Sequence, residues 1–323
     1  MAYKSEVYQK AINVLERRRE RATLEANART LEISREIPEI EEIQRKLSAI
    51  GFSISKLFFR EGDKEEEVNK LRKASLALQK EKRELLAKNG YDEDALTIKY
   101  FCPVCNDTGY YNEHMCSCHR ELLKEIQRDQ IRKLAPLDEC TFESFDTRYY
   151  PEKAMENGIS PKEKAERILE SCRNYAQKFN SHSPNLMFMG GTGVGKTHLS
   201  LAIANVAINK GYSVVYGTSQ NILSDLQNEN FGRTENLTYE EFDVLHTDLL
   251  IIDDLGTEFS SRFSEACIYN IINTRILQRR PTVISTNYEH EDFEREYNQR
   301  ILSRIAGEYS TLILEGNDIR YIK

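Results

Sequence analysis

The chain has 323 residues, enough for two or three domains at ~100–200 residues each. It is 40% hydrophobic and 30% charged, which supports a sizeable core and excludes wholesale disorder. The net charge of −7 is uneven: residues 1–100 carry 21 Lys+Arg against 19 Asp+Glu, and the rest carry 24 against 33. Neither part has the basic excess of a dedicated duplex-binding domain, so any nucleic-acid contact would come from a local patch.

No run approaches the roughly 18 apolar residues of a membrane span. The opening Met1-Ala2-Tyr3-Lys4-Ser5-Glu6 has no apolar signal region, so a cytoplasmic protein with no membrane partner is expected. Residues 3–50 show apolar positions at helical spacing (Val7, Ala11, Val14; Leu24, Ala28, Leu31; Ile37, Ile40, Ile43, Leu47), with Pro38 restarting a helix. A second helical run covers 64–89, with Leu71, Leu78 and Leu85 seven apart and Asn89-Gly90 as its stop. Gly51 to Asp63 reads as a connector. Residues 1–98 are therefore expected to form an all-α domain whose apolar stripes pack internally and also offer a docking face.

Residues 99–120 hold four of the seven cysteines: Cys102, Cys105, Cys116 and Cys118. A C-x₂-C knuckle followed ten residues later by C-x-C suits one tetrahedral, structural Zn²⁺. His114 and His119 flank the second pair and are alternative ligands; a redox role for Cys102-Pro103-Val104-Cys105 is the rival reading. Residues 121–134 form a short amphipathic helix opening a linker over 121–183, punctuated by Pro136, Pro151 and Pro161. From 184 to 323 short apolar runs (185–189, 213–216, 248–252, 281–285) alternate with helical stretches, the pattern of a parallel sheet covered on both faces.

Gly190-Gly191-Thr192-Gly193-Val194-Gly195-Lys196-Thr197 fits G-x-x-x-x-G-K-[ST] between a strand and a helix beginning at His198, which is expected with the loop at the nucleotide. Glycines let backbone N–H groups turn towards phosphates, and the helix N-terminus adds its positive dipole end. Lys196 is expected on the β- and γ-phosphates of ATP or ADP, and Thr197 on Mg²⁺. Asp248-Leu249-Leu250-Ile251-Ile252-Asp253-Asp254 is a buried strand ending in two acids, Asp253 for Mg²⁺ and Asp254 for the attacking water. The strand over 281–285 leads to Asn287, placed to reach the γ-phosphate or the water.

Together these elements resemble the AAA+ ATPases, in which Asn287 would be sensor 1. The resemblance implies a P-loop AAA+ parallel sheet flanked by helices. Asn298 to Ile305 is similar to the arginine-finger segment. It implies that Arg304, with Arg300 as alternative, acts on a neighbouring subunit's nucleotide after self-assembly on ATP. Gly316-Asn317-Asp318-Ile319-Arg320 is similar to sensor 2, with Arg320 facing the nucleotide. Over 140–323, including Thr141-Phe142-Glu143-Ser144-Phe145-Asp146, the chain resembles the bacterial replicative helicase loaders of the DnaC/DnaI type and their IstB-like relatives. That implies no lid domain, a DnaB-type helicase held by the N-terminal helices, and weak, ATP-dependent binding of single-stranded DNA. The DNA would lie near the helical insertion Thr218 to Leu226, where cations are few (Lys210 before it, Arg233 after it) and Tyr212, Tyr216 and Phe231 read equally as base stackers or as core residues. The zinc module occurs in some Gram-positive loaders. The pair Asp253-Asp254 departs from the Asp-Glu usual in AAA+ proteins and implies slow, partner-stimulated hydrolysis. The alternative function is a transposition helper that assembles on DNA and recruits a transposase.

Overall fold

The computed structural model describes residues 3, 5–58, 65–153, 158–230 and 239–321. The chain divides into two compact units, Met1–Ala11 with Ser117–Lys323, and Ile12–Cys116. The division does not fall at residue 98: the cysteine knuckle belongs with the helices before it, and the first residues of the chain with the α/β unit. Tyr3 donates to the Gly211 carbonyl at 3.0 Å and Gln130 to Glu6 at 3.2 Å, both inside that unit.

Three helices open the chain: α1 (Ser5–Glu36), α2 (Pro38–Phe58) and α3 (Glu65–Lys88). Pro38 begins α2 and Gly90, with φ 81°, follows the end of α3, as the sequence implies. Ile33, Ile37, Ile40 and Leu86 form a small buried cluster, and exposed pairs such as Glu41–Arg45 and Glu42–Lys46 line the outer surface. The expected connector from Gly51 is instead helical as far as Phe58. A Cβ at Gly51 would meet nothing within 4 Å, and buried Leu57 continues the apolar spacing of α2. Residues 59–63 of that connector lie outside the described residues. A hairpin of β1 (Tyr110–Tyr111) and β2 (His114–Met115) turns through Asn112 and Glu113, both at positive φ, as a two-residue hairpin turn requires.

The second unit contains α4 (Ser117–Arg132), α5 (Pro161–Lys178), β3 (Asn185–Met189), α6 (Lys196–Asn209), β4 (Val214–Thr218) and α7 (Ser219–Asn230). These are followed by α8 (Tyr239–His246), β5 (Leu249–Asp253), α9 (Arg262–Leu277), β6 (Thr282–Thr286), α10 (His290–Glu296), α11 (Gln299–Glu308) and β7 (Tyr309–Ile313). The five long strands are all parallel, in the order β4-β5-β6-β3-β7. Strand alternation divides the core in two. Leu186, Phe188, Val214, Tyr216, Leu249 and Ile251 join one cluster with α5 and α6, while Met187, Met189, Val215, Leu250 and Ile252 join the other with α7, α8, α9 and α11. β7, exposed along much of its length and at the sheet edge, has no counterpart among the expected strands, because its Ser310-Thr311 centre breaks the apolar run. Among the described residues no helix is long and apolar enough to cross a membrane.

Arg275 of α9 is fully buried. Its guanidinium donates to the Val244, Leu245, Thr247 and Pro281 carbonyls and to Thr282 Oγ1, at 2.7–3.2 Å. It thereby satisfies the C-terminal carbonyls of α8 and ties α8, α9 and β6 together. Burial pulls its pKa down to about 9.

Candidate nucleotide site and metal centre

The loop 190–195 leaves β3 at the carboxyl end of the sheet. Its neighbour β6 is in register there (Phe188 opposite Ser285, Met189 opposite Thr286), and β5 lies next to β6. The same end therefore receives Gly190–Thr197, Asp253-Asp254 and Asn287, where parallel α/β sheets place ligands. Gly190, Gly193 and Gly195 have φ of 138°, 73° and 92°, conformations that side chains resist. A Cβ on Gly190 would lie 2.1 Å from the Leu314 carbonyl oxygen, and one on Gly193 would lie 1.8 Å from Asp318 Oδ1. The loop is thus clamped by the segment after β7, with Ile319 donating to the Gly193 carbonyl at 3.2 Å. The Tyr150 hydroxyl donates to the Val194 carbonyl, and Phe145 packs where a Gly195 Cβ would be.

Lys196, buried, donates to the Gly190 carbonyl (2.8 Å), the Gly191 carbonyl (2.6 Å) and Asn287 Oδ1 (2.7 Å). Burial lowers its pKa; the charges of Asp254 and Asp253 oppose that shift, and Arg320 adds to it. Thr197 Oγ1 donates towards both Asp253 oxygens (3.1 and 3.0 Å). Asp253 also accepts from the Tyr216 hydroxyl (2.8 Å) and from Ser285 Oγ. A hydroxyl beside a fixed carboxylate is a hard-oxygen donor pair that suits Mg²⁺. Asp254 is left-handed at φ 52°, a conformation Asp tolerates better than most residues, and its carboxylate accepts from Asn287 Nδ2 at 3.3 Å. Its backbone N–H donates to Ser285 Oγ at 2.9 Å. Burial raises the Asp254 pKa and the Asp253 charge adds to that; Lys196, the Asn287 hydrogen bond and Arg320 pull it back.

The remaining expected residues divide between this end and its surroundings. Arg320, exposed, acts electrostatically on both Lys196 and Asp254. The His198 ring turns to the Thr141 carbonyl (2.8 Å) and the edge of Phe145, so its side chain serves the segment before α5 rather than the loop. Arg304 lies against α9, donating to Asn273 Oδ1 at 2.6 Å and stacking over Tyr269 at 4.7 Å; Arg300 is exposed on the same helix. Of the suggested DNA stackers, Tyr216 is a buried core residue occupied with Asp253, and Tyr212, partly buried, packs edge-on against Phe179 at the margin of the core; Phe231 and Arg233 lie outside the described residues. A groove of about 910 Å³ borders Gly190 and Gly191; its lining mixes apolar Met187, Phe293, Leu302 and Ile305 with polar Glu289, His290, Gln299 and Ser303. Residue patterns alone did not single out Tyr150, Ser285, Asp318, Glu258 or Tyr297. The runs Ser285-Thr286-Asn287 and Gly316-Asn317-Asp318-Ile319-Arg320 contain two of them, but without a role for either.

The four cysteines converge, their sulfurs all within 4.8 Å of one another. Cys102 and Cys116 Sγ are 3.8 Å apart; metal–sulfur bonds of about 2.3 Å in a tetrahedron space neighbouring sulfurs by about 3.8 Å. The donor set therefore fits Zn²⁺. The knuckle is built by buried Asp107, whose carboxylate accepts from Phe101 N (2.8 Å) and Cys102 N (2.9 Å), with Asn106, Asp107 and Gly109 at positive φ. His114 is exposed on β2, and His119 is buried against the Tyr8 ring, with centroids 5.4 Å apart.

The family of IstB-like ATP binding proteins matches residues 129–318. The replicative helicase loader DnaC of Buchnera aphidicola subsp. Acyrthosiphon pisum (strain APS) is 30% identical over 161 residues, 49% of this chain and 65% of the relative. The replicative helicase loader DnaC of Escherichia coli (strain K12) is 30% identical over 139 residues, 42% of this chain and 56% of the relative. The chain thus spans less than two thirds of the length of these two relatives. A crystal structure of the DnaC helicase loader is 22% identical with a TM-score of 0.46, covering 55% of this chain and 98% of that one.

Proposed function

The chain belongs to the IstB-like ATP binding proteins, and from that premise we propose that it is an ATP-dependent loader that binds a replicative DnaB-type helicase and delivers it to single-stranded DNA. The observation that carries the reading is the convergence of Lys196, Thr197, Asp253, Asp254 and Asn287 at one end of the parallel sheet. The loop amides of 190–195 wrap the phosphates, and Lys196 exchanges its Gly190 and Gly191 carbonyls for the β- and γ-phosphate oxygens. Thr197 and Asp253 hold Mg²⁺, which neutralises developing phosphate charge when bound. Asp254 orients the water and accepts its proton, and Asn287 aligns the γ-phosphate. Arg304 of an adjoining subunit, with Arg300 as the alternative, stabilises charge on the transferring phosphoryl group, a contribution of about 10³-fold or more. Arg320 reads the same phosphates from its own chain. The Cys102–Cys105–Cys116–Cys118 set holds a structural zinc, and the helices of 1–98 grip the helicase.

The test is native mass measurement of a DnaB-type helicase hexamer mixed with the full chain. An ATP-dependent mass increase supports the loader. If the hexamer is unchanged while the chain with ATP retains a transposase on duplex DNA, the transposition-helper reading replaces it. The names of the two relatives favour the loader for this chain.

A further inference from the structure

We propose that Glu258 is a positioning residue that couples the acidic loop after β5 to the arginine helix α11 of the same chain; this rests on the reading of Arg304 as acting on a neighbouring subunit's nucleotide. Glu258 is half-buried, and its carboxylate gathers three donors from three segments. Oε2 accepts from Ser219 Oγ (2.6 Å), the first residue of α7, and from Gly256 N (2.8 Å). Oε1 accepts from the Tyr297 hydroxyl. Tyr297 is buried and directly precedes Asn298, which caps α11 by accepting from the Arg300 and Ile301 N–H groups, both at 3.1 Å. One carboxylate thus fixes the start of the helix that carries Arg300 and Arg304.

The other end of the link is the nucleotide acid. Ser219 Oγ also lies 3.1 Å from the Asp254 carbonyl, and Thr257 donates to that carbonyl at 2.9 Å. Between Asp254 and Glu258 the backbone is left-handed twice, at Asp254 (φ 52°) and Gly256 (φ 107°). A Cβ on Gly256 would lie 2.3 Å from the Tyr288 ring, whose hydroxyl donates to the Gly256 carbonyl at 2.9 Å. Tyr288 directly follows Asn287. A displacement of Asp254 or Asn287 on phosphate binding is therefore transmitted through Gly256 to Glu258, and through Tyr297 to the first turn of α11. The coupling runs through contiguous hydrogen bonds rather than through proximity alone.

Subunit mixing separates this role from a local one. Asp254→Asn keeps a residue that tolerates the left-handed backbone; it removes the water-activating acid but leaves Arg304 intact. Arg304→Ala leaves an intact site and no finger. Recovered Mg²⁺-ATP hydrolysis when these two full-length variants are mixed establishes the trans arginine; failure to recover sinks that reading. Glu258→Gln alone is expected to lose about tenfold in hydrolysis while its ATP Kd stays within about twofold. Mixed with Asp254→Asn it recovers, because the partner supplies a well-placed arginine to an intact site. Mixed with Arg304→Ala it stays low. Tyr297→Phe, which removes a single hydroxyl, follows the same pattern and guards against misfolding of the first variant. Recovery with Arg304→Ala instead, with both, or with neither overturns the coupling.

Discussion

Lys196 and Asp254 face each other across Asn287, and burial pushes each towards its neutral form. For Asp254 the folded pKa is raised, so ionising it costs stability as pH rises past its unfolded value, and protonation at low pH relieves that cost. With Asp254 accepting the water's proton, as proposed, kcat/KM should fall along an acid limb lying above the ordinary aspartate value of about 3.9. Asn287→Ala removes a hydrogen bond that favours the charged form; the limb should move to higher pH in a profile of kcat/KM against pH, and an unmoved limb would remove Asp254 from the proton-accepting role. Lys196→Ala should abolish ATP binding in a titration with a fluorescent analogue. Asp254→Asn should leave binding intact and lower turnover by about 10²-fold or more. Gly190→Ala must displace the Leu314 carbonyl and adopt a left-handed φ, so ATP affinity should drop about tenfold. The glycines and Lys196 were legible from residue type and spacing. Tyr216 and Ser285 were not, because a hydroxyl inside an apolar strand reads as core until the neighbouring strand brings Asp253 beside it.

Elements meet through side chains that local propensity does not reveal. Arg275 sits in a helix that reads as ordinary α9, yet it serves the carbonyl end of α8 and the entry to β6 at Pro281 and Thr282. Arg275→Met should destabilise the α/β unit by about 3 kcal/mol, since several buried carbonyls lose their donors. Arg275→Lys should recover only part of that, because an ammonium lacks the guanidinium fork. The midpoint of urea unfolding followed by far-UV circular dichroism gives the comparison. Helix limits at Pro38 and Gly90 were readable from capping chemistry. The extension of α2 through Gly51 to Phe58 departs from the expected connector because glycine signals a break only where nothing downstream keeps the helical spacing. β7 carries no continuous apolar signal because the polar pair Ser310-Thr311 belongs to an edge strand, which burial does not force to be apolar.

For the whole molecule, the cysteine module makes a prediction of stoichiometry. A colorimetric chelator assay on denatured, purified full chain should find one zinc per chain, and Cys116→Ser should lose it; a protein that retains its zinc without Cys116 would need a different ligand set. Spacing alone determined that a paired-cysteine knuckle, a G-x-x-x-x-G-K-T loop and an acid-ended strand exist, because each is a contiguous run legible from residue type. It also determined the parallel α/β class, because buried strands alternate with helical stretches. The tertiary structure decided which strands are neighbours, and hence that Lys196, Asp253, Asp254 and Asn287 share one sheet end. It decided that all four sulfurs converge and that His114 stays exposed. It also placed Glu258 between the acidic loop and α11. Those relations join residues tens to hundreds of positions apart, and strand order and packing, which no local pattern encodes, set the distances between them.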